Sequence, residues 1–115
     1  MSLLRRVKQR LLRLASDPGD SDGAHFYSQT GEDAILAHLL FGHGCGFYVD
    51  VGAFHPTRYS NTYYFYRRGW TGINIEPTPS QIDFFRRKRP RDINLAFAVG
   101  GASGPIRLKH LMTGW

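Results

Sequence analysis

Two carboxylic acids stand where short apolar runs give out: Asp50 within Phe47-Tyr48-Val49-Asp50-Val51-Gly52-Ala53, and Glu76 at the end of Thr71-Gly72-Ile73-Asn74-Ile75-Glu76-Pro77. Acids at two adjacent strand ends suit a nucleoside with a charged tail. One carboxylate meets the ammonium group and the other accepts hydrogen bonds from both ribose hydroxyls. Gly52 lets the backbone approach a ligand because no Cβ stands in the way. Alone, Asp50-Val51-Gly52 reads first as an empty tight turn; Glu76 makes the pair a candidate pocket. A dinucleotide would need a G-x-G-x-x-G turn for its pyrophosphate, whereas Gly52-Ala53-Phe54-His55-Pro56-Thr57 carries one glycine. S-adenosylmethionine (SAM), a nucleoside with an amino-acid tail and no phosphate, fits this turn better than NAD. His55 is the only histidine on the turn and a candidate general base, although a polar residue closing the turn before Pro56 reads the same way. The single cysteine, Cys45, leaves no thiol cluster for zinc and no internal disulfide, which fits a reducing, cytoplasmic setting.

These residues need elements to hold them. Phe47 to Val51 reads as a buried parallel strand closed by Gly52. A helix over 60–68 follows, with Thr57 and Ser60 as caps and Gly69 as its stop. Thr71 to Ile75 is a second strand broken by Glu76-Pro77, Ser80 to Lys88 a helix broken by Pro90, and Ile93 to Val99 a third strand ending in Gly100-Gly101. Ile106 to Leu111 is a candidate start of a further strand. The order β-α-β-α-β predicts an α/β fold with a parallel sheet and right-handed crossovers, one half of a doubly wound, Rossmann-like domain. Ahead of it, Ile35, Leu36, Leu39 and Leu40 predict an amphipathic helix, with Glu32 and Asp33 in its first turn. Tyr59, Tyr63, Tyr64, Phe65 and Tyr66 include candidates for stacking on a base or a sugar, yet their spacing sends several to the core.

The residues in register carry a more specific likeness. Ser28-Gln29-x-Gly31-Glu32-Asp33, Phe47 to Ala53, Ser60-Asn61-Thr62 with Phe65, Gly69-Trp70-x-Gly72 to Pro77, and Asn94 with Ala98-Val99-Gly100 resemble the FkbM methyltransferase family over about residues 26 to 101. That resemblance implies a SAM-dependent O-methyltransferase acting on sugar or secondary-metabolite hydroxyls. Asp50, Gly52 and Ala53 would line the methionine and ribose end of SAM, Glu76 would hold the ribose, and Gln29, Glu32, Ser60 and Asn61 would join them at the mouth. The family's domain continues to a later strand bearing Asp-x-Glu-Gly, and no such segment follows Gly101. The expectation is therefore an N-terminal part of the domain, over 25–115, with its first strand left as an apolar edge that favours oligomers.

Composition sets the remaining bounds. With 115 residues, 42% of them hydrophobic, the chain can build one domain and not two. Its net charge of +6 invites anionic partners, and Arg5, Arg6, Lys8, Arg10 and Arg13 cluster with Leu3, Leu4, Val7, Leu11, Leu12 and Leu14 at helical spacing. Residues 1–15 thus read as a basic amphipathic helix that could meet a partner or a membrane surface, or equally pack on its own domain or on a dimer mate, and 16–24 as a linker rich in turn formers. The second cluster, Arg86, Arg87, Lys88, Arg89 and Arg91, reads as a solvated helix face, which weighs against nucleic acid as the partner. Two rivals to the enzyme reading remain: a basic module for nucleic acid or membrane, and an inactive remnant that oligomerises.

Overall fold

The computed structural model describes residues 25–109. The basic segment 1–15, the linker 16–24 and the end of the expected strand at 106–111 lie wholly or partly outside them. Six elements follow in the order α1 (Glu32–Leu39), β1 (Phe47–Val51), α2 (Tyr63–Arg67), β2 (Thr71–Ile75), α3 (Pro79–Lys88) and β3 (Ile93–Leu95).

The strands form one parallel sheet in the order β1-β2-β3, with Phe47 opposite Thr71, Val51 opposite Ile75, and Ile75 opposite Leu95. Paired residues of a parallel sheet share a face, and the faces alternate along each strand. Tyr48, Asp50, Gly72, Asn74 and Asn94 therefore lie on one side, which α2, α3 and their flanking turns cover. Phe47, Val49 and Val51 lie on the other and are each 58% exposed. Among the described residues β1 is an edge strand with an open apolar face, as expected for one half of a doubly wound sheet. At Gly72 the backbone passes against Tyr48: an added Cβ would collide with its ring and its carbonyl oxygen. Only glycine fits there.

α3 starts at Pro79, whose missing N–H is no loss in a first turn, and ends before Pro90, which disfavours helical backbone in its predecessor. Its buried residues Ile82 and Phe85 form the core cluster with Ala53. Three expectations need correction. The helix predicted over 60–68 begins only at Tyr63, because Ser60 bonds the N–H groups of Thr62 and Tyr63 and so holds the chain in a turn. The third strand stops at Leu95 instead of Val99: Glu76 N–H donates to the Leu95 carbonyl, and Pro77 then ends the partner strand. Residues 106–109 carry no regular structure. Helix α1 forms as expected, yet Ile35 and Leu39 on its apolar side are 62% and 67% exposed, because no described element packs over them.

Candidate functional site

The carboxyl ends of β1 and β2 are joined by the turn that follows Val51. Gly52 takes the left-handed conformation (φ 71°) with open space where a Cβ would stand. The Gly52 and Ala53 N–H groups both donate to the Ile75 carbonyl (2.8 and 3.1 Å). Phe54 N–H donates to Glu76 Oε2 at 3.0 Å, and Thr78 N–H to Glu76 Oε1 at 3.0 Å. Glu76 is thus a buried clamp between the β1 turn and the start of α3. The first three N–H groups of the turn are therefore engaged by Ile75 and Glu76 and are not left for a ligand. Each Glu76 oxygen keeps a second lone pair for another donor.

Asp50 sits half-buried on the covered face of β1. Its Oδ2 accepts the Thr62 hydroxyl at 3.0 Å, its one hydrogen bond among the described residues. Burial pushes its pKa up, while the Thr62 hydroxyl and the nearby Arg89 guanidinium pull it down. The other expected residues divide by exposure. Ala53 is buried in the core, and Ser60 is buried with its hydroxyl accepting from Thr62 N–H, Tyr63 N–H and Arg89. Gln29, Asn61 and Glu32 are exposed. A single parallel bridge between Ser28 and Tyr59 lays the Gln29 segment beside the β1–α2 loop. Glu32 is held by the hydroxyl and N–H of Thr30, which drop its pKa to about 2.

His55 is tied into the turn. Its Nδ1 accepts from Thr57 N–H (3.1 Å) and Arg58 N–H (2.9 Å), so in the neutral ring the proton sits on Nε2. Burial, then Arg58 and Arg89, push its pKa down, which favours that neutral ring. A base needs a free lone pair, and the Nδ1 lone pair is engaged. His55→Asn retains an acceptor oxygen for the turn, whereas His55→Ala leaves two N–H groups without theirs. The expected result in urea denaturation is a loss of about 1–2 kcal/mol for Ala and a smaller loss for Asn. Equal losses would remove the turn-closing role.

The residues that organise the site were largely missed. Arg89, read as part of a solvated cluster, is fully buried. Its Nε donates to the Pro56 carbonyl (2.8 Å), Nη1 to Thr62 Oγ1 (2.7 Å) and Nη2 to Ser60 Oγ (2.6 Å), and it lies 3.6 Å from Asp92. Asp92 accepts Tyr48 O–H (2.5 Å), Gly72 N–H (3.0 Å) and Asn74 Nδ2 (2.9 Å). Among the described residues no buried side-chain polar atom lacks a partner. Asn74 was the available signal, since an amide inside a buried apolar strand requires a polar neighbour. Phe54 (φ 62°) and Tyr59 (φ 58°) are left-handed, exposed aromatics flanking this loop. For bulky residues that conformation is strained and marks a constrained segment.

Among the described residues no His, Cys, Asp and Glu group could hold a metal ion, and no helix is long and apolar enough to cross a membrane. A cavity of 290 Å³ lined by Phe26, Ala37, Phe41, Phe65 and Trp70 lies beside α1 and the segments entering β1 and β2, away from these strand ends. No match was found among curated proteins or solved structures. The profile described as the methyltransferase FkbM domain matches residues 50–113, starting at Asp50 near the end of β1 and running through the Glu76 clamp. That match covers more than half of the sequence, and the chain belongs to the FkbM methyltransferase family.

Proposed function

We propose that the chain binds SAM at the ends of β1 and β2 and serves methyl transfer to a hydroxyl of a sugar or secondary metabolite. The observation that carries this is the pair of acids at the ends of neighbouring parallel strands, Asp50 in β1 and Glu76 just past β2, with Gly52 left-handed on the turn after β1. The residues fit the group. Asp50 Oδ1 stays available for an ammonium, the second lone pairs of Glu76 suit ribose hydroxyls, and the turn has room at Gly52. When bound, SAM supplies an electrophilic methyl on a sulfonium. The chain's own part is to hold and align: Glu76 fixes the turn, Asp50 fixes the charged end, and the exposed ring of Tyr59 offers a stacking face.

Isothermal titration of the full chain with SAM tests the reading. Asp50→Asn removes the charge while keeping an acceptor for Thr62, and is expected to weaken binding about ten-fold or more. The same variant is expected to melt higher at neutral pH. Folding raises the Asp50 pKa, so the folded state binds more protons than the unfolded one above the ordinary 3.8, and the wild type loses stability as pH rises through the folded value. The variant escapes that loss. A folded wild type that gives no heat with SAM would sink the proposal.

A further inference from the structure

The buried Arg89 does more than fill space beside the sheet. Its guanidinium has donors and no acceptor, so the Thr62 oxygen, which receives Nη1 at 2.7 Å, must accept. The single Thr62 hydroxyl hydrogen then has Asp50 Oδ2 at 3.0 Å as its better acceptor, with Ser60 Oγ at 3.5 Å. The same guanidinium holds Ser60 and the Pro56 carbonyl, at the two ends of the loop that carries Tyr59. We propose that Arg89 is a positioning residue of the cofactor site: through Thr62 it orients the Asp50 carboxylate, and through Pro56 and Ser60 it sets the path of the β1–α2 loop. This deepens the SAM reading and rests on it for the identity of the ligand.

The direction of the coupling follows from charge. Both the Thr62 hydrogen bond and the Arg89 charge favour ionised Asp50 against the burial that opposes it. The other groups around this relay are Asp92, 3.6 Å from Arg89, and Tyr48, whose hydroxyl is on Asp92. His55 also feels Arg89, and Glu76 stands on the next strand end. None of them bonds Asp50 among the described residues. A relay through Thr62 therefore predicts an effect at Asp50 that loss of packing alone does not produce.

The experiment follows the Asp50 carboxyl carbon by ¹³C NMR through a pH titration of the full chain, with SAM affinity measured alongside. In Thr62→Val, which leaves Arg89 and its remaining partners in place, the Asp50 midpoint is expected to move up and SAM affinity to fall about ten-fold. Thr62→Ser is expected to restore both. Arg89→Lys, which cannot span Pro56, Ser60 and Thr62 together, is expected to move the midpoint in the same direction. Should Arg89→Lys not fold, the two Thr62 variants decide by the same readout. An Asp50 midpoint unmoved in folded Thr62→Val overturns the relay. If wild type binds no SAM while the midpoint still moves, the cofactor reading falls and the relay stands.

Discussion

Glu76→Ala is expected to lower stability by about 3 kcal/mol or more and to abolish SAM binding. Glu76, only 7% exposed, holds two backbone donors, Phe54 N–H and Thr78 N–H, each 3.0 Å from one of its carboxyl oxygens. A hydrogen bond to a charged group is worth about 1.5–3 kcal/mol, and both donors would be left in a setting poor in water. Whole domains are stable by about 5–15 kcal/mol, so the change is a large fraction of the total. Glu76→Gln separates the two roles. The amide oxygen can serve one N–H, but the NH₂ group then faces the other donor, so stability falls by roughly half as much. Chemical denaturation at constant m-value gives the first quantity and titration with SAM the second. If Glu76→Ala unfolds at the wild-type denaturant concentration, the clamp between the β1 turn and α3 has no energetic weight.

Where apolar runs were short and bounded by Gly or Pro, the sequence was legible. β1 and β2 occur over the expected residues, and α3 starts one residue early, because the punctuation at Gly52, Pro77 and Pro90 acts on the chain locally. The candidate acids were legible for the same reason, as charges at the ends of apolar strands. The polar layer beneath the sheet was not. Arg89 follows Arg86, Arg87 and Lys88, which are all exposed, and within the run only its spacing from the buried Ile82 and Phe85 sets it apart as the one that turns inward. Its fate depends on Ser60, Thr62 and Asn74, which are distant in sequence. β3 was read too long because its length depends on where β2 stops pairing and not on its own apolar residues. The direction of the turn's N–H groups was beyond reach as well: Gly52 permits several paths, and Glu76 selects among them.

The polar layer also predicts the largest effect away from the strand ends. Asp92→Ala would remove the acceptor for Tyr48 O–H, Gly72 N–H and Asn74 Nδ2 together, and would leave Arg89 buried without its carboxylate partner. Breaking a buried pair from one side costs about 3–5 kcal/mol, because the remaining charge is uncompensated. Tyr48→Phe removes one donor and retains the ring, so its expected cost is about 1 kcal/mol. The two differ further in pH dependence. Burial first, and then the hydrogen bond to Asp92, push the Tyr48 pKa up from its ordinary 10.0. The unfolded tyrosine releases its proton near that ordinary value, so above it the folded state holds the extra proton and stability falls as pH rises. Wild type should therefore lose stability progressively above about pH 10, and Tyr48→Phe should flatten that arm. Urea midpoints measured on both proteins from neutral pH into the alkaline range check this. An alkaline arm equally steep in Tyr48→Phe would mean that another group governs it, and that the Tyr48–Asp92 bond contributes little to holding β1 against β2.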